Sequence, residues 1–260
     1  MCQQKGVLFM KYIMLLLLCV SPFANAITAK ELVKSTGMKK QTATNVVNAI
    51  ACGKRFNRQS PDVMMVADMN LASYQKRFFA IDMKTGKLLI NDYVTHGRGS
   101  DPDRTGVPSL FSNEPNSMQT SLGLYRVSED YYSEKMAKEA RKLDGLMIGW
   151  NNNARIRGVV FHPANYVASG YVGRSEGCPA VRQGVFDALE EHGLDNAMLW
   201  VDGPEEGLAE DVASCAASAK YMRYQAPPKE EPKPLVGTIC RDTYTFDFKL
   251  KPSTFDWGMA

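Results

Sequence analysis

The chain has 260 residues, 45% of them hydrophobic and 23% charged, with a formal net charge of +3. That length makes one large domain or two small ones and buries ~70% of the unfolded surface without help from metal or disulfide. The composition excludes wholesale disorder. No stretch interleaves basic and aromatic residues, which excludes a nucleic-acid groove.

Residues 1–26 read as a signal peptide. Lys5 and Lys11 flank the apolar run Tyr12–Val20, and Ala24-Asn25-Ala26 supplies a small–x–small cleavage pattern. The run is too short to span a bilayer, which needs ~20 apolar residues, so no transmembrane anchor is expected after signal removal. Cys19 follows the bulky Leu18, a poor context for a lipid anchor. The expected mature protein is exported, periplasmic or associated with the cell envelope, with a formal charge of +1. Cys52, Cys178, Cys215 and Cys240 remain in it. In an oxidising compartment they allow two disulfides in three pairings, or one reactive thiol, one bridge and one buried thiol.

Apolar spacing predicts two short helices over residues 28–54, separated by Gly37, with Gly53 as a stop. Val63–Met69 reads as a buried strand, and 77–82 with 87–94 as a hairpin turning at Gly86, a β-meander. His96–Asp101 opens a long polar stretch. Ser121–Val127 alternates as a strand, residues 129–143 are charged and mildly helical, and Arg157–His162 is an apolar strand ending in a histidine. Val185–His192 predicts a helix stopped by Gly193, and Ala197–Val201 the last core strand. Ala226–Pro234 is an extended proline-rich linker, followed by an aromatic tail with Cys240, Tyr244, Phe246, Phe248 and Trp257. The domains read as 1–26 signal peptide, 27–58 helical segment, 59–203 catalytic domain and 204–260 C-terminal extension.

One constellation carries chemistry: Gly173-Arg-Ser-Glu-Gly-Cys-Pro-Ala180, with His162 16 positions before the cysteine. A nucleophilic cysteine needs a base, a favourable thiol environment and donors for a developing oxyanion. Gly177 permits a sharp turn, the N–H groups of Gly177 and Cys178 are the expected oxyanion donors, and Pro179 suits the first position of a helical turn that places positive dipole near the sulfur. The competing reading makes Cys178 half of a disulfide and His162 a hydrogen-bonded strand end. Residue physics leaves the two open.

Ser175-Glu-Gly-Cys178 resembles the S-x-G-C signature of L,D-transpeptidase catalytic domains. His96-Gly-Arg-Gly-Ser100, Thr120–Arg126, Leu143–Gly145, Asn152–Arg155, His162–Val167 and Gly173–Ala180 resemble, in that order, the divergent murein L,D-transpeptidase catalytic domain-like branch over residues 60–202. The resemblance implies a mainly β, α+β fold with a mixed β-sandwich and flanking helices. It further implies an enzyme without cofactor or metal, acting on peptidoglycan stem peptides, for which we expect a monomer. Cys178 would be the nucleophile and His162 its base, with Ser175 and Gly177 shaping the loop and oxyanion site. Arg174, Arg182, His96 and Tyr166 are the substrate-binding candidates. The thiolate would attack the carbonyl joining the third stem residue to a terminal D-Ala, and an amine would resolve the thioester. Water in place of the amine makes an L,D-carboxypeptidase, and loss of turnover a peptidoglycan-binding module. Ala180 and Pro163 stand where the commoner pattern has Arg and Gly, and Pro163 removes an N–H beside the base.

Rival patterns are weaker. Ser73–Lys76 and Lys84-Thr-Gly86 match strings of serine penicillin-recognising enzymes, but in strand connection and turn rather than in the context those motifs require. A zinc site from His96, His162 and Cys178 lacks a short-spaced ligand pair. Cys215 pairs with Cys240, or Cys52 pairs with one of them, while Cys178 is expected to stay free.

Overall fold

The computed structural model describes residues 27–56, 60–134, 138–168, 171–172 and 174–218. The signal segment, the proline-rich linker, Cys240 and the aromatic tail lie outside them. Helices α1 (Ala29–Thr36) and α2 (Lys40–Gly53) fall where the apolar spacing put them. Thr28 and Glu31 form a reciprocal capping box at the start of α1, and Gly37 closes it with φ +74°.

Strands β1 (Val63–Asp68), β2 (Phe78–Asp82) and β3 (Leu88–Asp92) form the expected meander, with Gly86 at φ +68° in the β2–β3 turn. Next come β4 (Gly123–Ser133), β5 (Lys138–Gly145), β6 (Val160–Pro163), the ribbon β7 (Val167–Ala168) with β8 (Tyr171–Val172), β9 (Ala180–Val181), α3 (Gln183–His192), β10 (Ala197–Asp202) and α4 (Leu208–Ala217). The eight-stranded sheet runs β3-β2-β1-β10-β4-β5-β6-β9, with β1–β10 and β6–β9 parallel and the other pairs antiparallel. All six residues of β1 and of β10 are buried, as expected of strands covered on both faces.

The described residues of 129–143 correct the sequence reading, because they lie in β4 up to Ser133 and in β5 from Lys138 and not in a helix. Alternation is hard to see there since the inward positions include a cation. Arg141 lies 8% exposed and reaches Glu190 on α3, Asp195 at 2.6 Å and Asp130 at 2.7 Å. Three carboxylates around one guanidinium let a charged residue occupy a buried strand position that local propensity argues against.

The sheet is curled. Phe78 on β2 and Phe161 on β6 lie five strand spacings apart in sheet order, about 24 Å in a flat sheet. Their ring centroids are only 6.0 Å apart, and Phe161 stacks in turn on Phe186 of α3 at 5.7 Å. The two ends of the sheet are stitched together just past β3. Thr95 donates to the Ala180 carbonyl at 3.0 Å, the Ala180 N–H donates to Thr95 Oγ1 at 2.9 Å, and Gly97 bridges Ser175 in parallel. One mixed sheet thus encloses the core from both sides, the mainly β architecture with flanking helices that the sequence implied.

Helix α2 is clamped to the β1–β10 pair by a buried polar knot, in which Thr42 donates to Asp68 at 3.1 Å and Asn45 to Asp202 at 3.0 Å. Helix α4 lies on α2, and Cys215 is disulfide-bonded to Cys52. The structure therefore takes the second of the cysteine alternatives, with Cys52 rather than Cys240 as partner, because α4 folds back along α2. Ser73 and the Lys84-Thr-Gly86 string lie in a connection and a hairpin turn.

Candidate active site

Cys178 sits at the seam where the two ends of the sheet meet, and among the described residues it is the free cysteine. The parallel register His162↔Ala180 places the cysteine beside the strand that carries the histidine. The Val160 N–H points at Cys178 Sγ from 3.5 Å, and the sulfur faces the Gly158 carbonyl at 3.9 Å. His162, 4% exposed, donates from Nδ1 to the Pro163 carbonyl at 3.1 Å. A carbonyl only accepts, so the proton is on Nδ1 and Nε2 keeps its lone pair. No hydrogen bond joins the imidazole to the thiol among the described residues. The register sets His162 opposite Ala180 and leaves Cys178 level with Val160, two residues before the histidine.

Burial holds the His162 pKa below its ordinary value, with Lys138 adding to the effect and the Pro163 carbonyl opposing it. Burial likewise pushes the Cys178 thiol up, while the Val160 N–H and then Arg157 pull it down and Glu176 raises it further. Both shifts favour the uncharged partners. At neutral pH the pair is a thiol and a neutral imidazole.

Ser175 organises the loop. Its N–H donates to the His96 carbonyl at 2.9 Å, and its hydroxyl donates to the Cys178 carbonyl at 2.6 Å with the His96 carbonyl 3.3 Å from the same oxygen. The Gly177 N–H donates to Ser175 Oγ at 3.2 Å. That corrects the expectation of two oxyanion donors, since the Gly177 N–H is committed to the loop while the Cys178 N–H meets no acceptor among the described residues. Gly177 has φ +120°, and an added Cβ would lie 2.8 Å from the Gln119 carbonyl oxygen. Glycine is needed there on both counts. Pro179 does not open a helix, because Ala180–Val181 is claimed by β6 as strand β9 and α3 starts only at Gln183.

The other predicted residues are dispersed. His96 is wholly buried and lines no open surface. Arg77 donates to its Nδ1 at 2.8 Å, which puts the neutral ring's proton on Nε2, facing Asp101 Oδ2 at 3.5 Å without a hydrogen bond. Burial, then the Arg77 charge, lowers the His96 pKa to about 4. Arg77 is itself buried and lowered to about 9. Arg182 is paired with Asp92, and Arg174 donates to the Asp101 carbonyl at 2.6 Å. Tyr166 is 40% exposed. Burial first, then Cys178 and Glu176, raises its phenol to about 12. Three contributors escaped the sequence reading: Thr95, whose hydroxyl donates to the Cys178 carbonyl at 3.1 Å, Thr120, which accepts from the Gly97 N–H at 2.8 Å, and Arg157. For Arg157 a signal existed, since it opens the apolar strand string that ends in His162. Three concavities of about 560, 430 and 640 Å³ are lined by other residues.

The structure is thus a mainly β, curled mixed sheet in which the loop carrying the free Cys178 leads into the strand paired with that of His162. The family model described as L,D-transpeptidase catalytic domain matches residues 34–201, and the chain belongs to that family. Solved structures similar to it include L,D-transpeptidases from Mycobacterium smegmatis (14% identity, 55% of this chain and 60% of that one, TM-score 0.33) and Stackebrandtia nassauensis (12%, 69% and 78%, TM-score 0.34). A third, from Mycobacterium tuberculosis, is 16% identical over 55% of this chain and 59% of that one, with a TM-score of 0.33. The chain spans about 60% of the length of the mycobacterial structures. No curated protein sequence matches it.

Proposed function

We propose that the protein is an exported, cysteine-dependent peptidoglycan L,D-transpeptidase acting on stem tetrapeptides. The observation that carries the proposal is the placement of the free Cys178 against the His162 strand, in a chain whose other two described cysteines are bonded to each other. That bond also supports export, since disulfides persist in oxidising compartments. Membership of the L,D-transpeptidase family supports the substrate class.

As Cys178 Sγ attacks the carbonyl between the third stem residue and D-Ala, its proton passes to His162 Nε2. The Cys178 N–H is the donor for the tetrahedral oxyanion. When the C–N bond breaks, the imidazolium returns the proton to the leaving D-Ala amine and a thioester remains on Cys178. An acceptor amine then attacks the thioester, transfers a proton through His162 and releases the thiol, forming the cross-link. Water in the acceptor's place yields the tripeptide. Ser175 and Gly177 hold the nucleophile's backbone, and Tyr166, exposed and electrostatically coupled to the sulfur, is the side chain for substrate contact.

The test incubates the chain from residue 27 onward, and its Cys178→Ala variant, with tetrapeptide muropeptides and follows products by mass spectrometry. D-Ala release with dimers is the expected result, abolished in Cys178→Ala. Tripeptide alone makes the enzyme a carboxypeptidase. No change with either muropeptides or intact sacculi overturns the enzymatic reading in favour of a wall-binding module.

A further inference from the structure

Residues 157–162 touch the Cys178 loop at several points. The Gly158 carbonyl and Val160 N–H face the sulfur, and His162 follows two residues on. Arg157 begins this segment and turns the other way. Its NH1 donates to the Ser112 carbonyl at 2.8 Å, and its NH2 to Ser117 Oγ at 3.3 Å and the Gln119 carbonyl at 2.7 Å. That Gln119 carbonyl is the group abutting Gly177, and Arg157 NH2 would itself lie 3.5 Å from a Cβ at that glycine.

All three acceptors of the guanidinium are neutral, and among the described residues Arg157 forms no ion pair. The other cations of the region are engaged differently: Arg182 pairs with Asp92, Arg98 lies 4.0 Å from Glu176, and Arg174 is drawn to the Asp101 carbonyl. Burial holds the Arg157 pKa below its usual value, with Tyr125, Cys178 and Glu114 acting against that. A half-buried charge with neutral partners projects its field further than one cancelled by a carboxylate.

We propose that Arg157 is a positioning residue for Cys178, holding the 112–119 loop against Gly177 and supplying the positive field in which the thiolate forms. The other titratable groups acting on the same sulfur are Tyr166 and, on the cysteine's own loop, Glu176, and Tyr125 and Glu114 lie in the field of the guanidinium. Glu176 and a charged Tyr166 oppose ionisation, which leaves Arg157 as the favourable charge. The consequence for turnover rests on the proposed nucleophilic role of Cys178, but the effect on the thiol does not.

The experiment reads the thiol directly. The rate of iodoacetamide modification of Cys178 is followed against pH by peptide mass spectrometry in the full chain and in Arg157→Gln, Arg157→Lys and Ser117→Ala. Glutamine keeps a donor for the loop carbonyls without charge, lysine keeps charge without the fork, and Ser117→Ala loosens the same loop without altering charge. Arg157→Gln should move the midpoint up by about one pH unit, the low end of what a neighbouring opposite charge does. Arg157→Lys should recover most of that, and Ser117→Ala should leave it in place. An unmoved midpoint in Arg157→Gln, or equal shifts in Gln and Lys, overturns the proposal. Should Arg157→Gln lose its cooperative melt, an unmoved midpoint in the charge-keeping lysine variant still supports the field, and a full upward shift there overturns it. A shifted midpoint without muropeptide turnover overturns the proposed activity alone, whereas turnover with an unmoved midpoint overturns this inference alone.

Discussion

Lowering the pH from 7 to 5 should cost this fold stability through His96, a ring that lines no catalytic surface. His96 is wholly buried, accepts from Arg77 through Nδ1 and keeps its Nε2 proton without a hydrogen-bond partner. The unfolded chain binds a proton at His96 near the ordinary value of 6.5, whereas the folded chain resists until about 4. A histidine with a depressed folded pKa contributes stability that is present above the unfolded value and lost as pH falls toward the folded one. For these two values the linkage relation removes about 2 kcal/mol between pH 7 and pH 5. The assay is urea unfolding at both pH values for the wild type and His96→Asn, whose side-chain oxygen still accepts from Arg77 but does not titrate. The variant starts less stable because it packs less well, a loss that does not depend on pH. Its acid-induced loss should be about 2 kcal/mol smaller than the wild type's. His162 and the carboxylates lowered in the folded state, Glu31, Asp62, Asp82, Asp101 and Glu129, are common to both chains, so the difference isolates His96. Equal losses in the two proteins would refute the reasoning, and the ring would then be hydrated or paired in its charged form.

Three other outcomes follow from the geometry. The acid limb of the muropeptide reaction should fall below pH 6.5, because burial depresses His162 and the neutral ring is the form that accepts the thiol proton; a limb at or above 6.5 in a pH–rate profile would contradict this. Gly177→Ala should abolish turnover and lower stability by roughly 1–3 kcal/mol, the usual cost of a side chain in a positive-φ strained position, read by thermal melt alongside activity. Replacing Cys52 and Cys215 by alanine opens a cross-link between residues 163 apart in sequence. The chain-entropy model puts that loss at ~5 kcal/mol, and the double variant should melt far lower while Cys178 alkylates as before.

The strands β1, β2, β3 and β10, helices α1, α2 and α3 and the glycine stops were legible in the sequence because each depends on local periodicity and backbone freedom. Gly37, Gly86 and Gly193 take the positive φ that their turns require. Cys178 and His162 were legible as candidates because they stand in short strings that resemble the family's motifs, and the structure leaves Cys178 free beside the His162 strand. Residues 129–143 were misread because Arg141 is paid for by carboxylates on other elements, which no local window contains. The committed Gly177 N–H, the strand after Pro179, the burial of His96 and the field of Arg157 were decided by the tertiary structure. All four depend on the curled sheet bringing its two ends together at Thr95–Ala180 and Gly97–Ser175. The cysteine pairing belongs with them, for Cys52 and Cys215 become neighbours only when α4 lies along α2. Residue types and spacing mark the candidate groups, and the family resemblance assigns their roles, but distance, burial and charge arise between segments remote in the chain, and those set which N–H is available, which ring is neutral and which cation acts on the thiol.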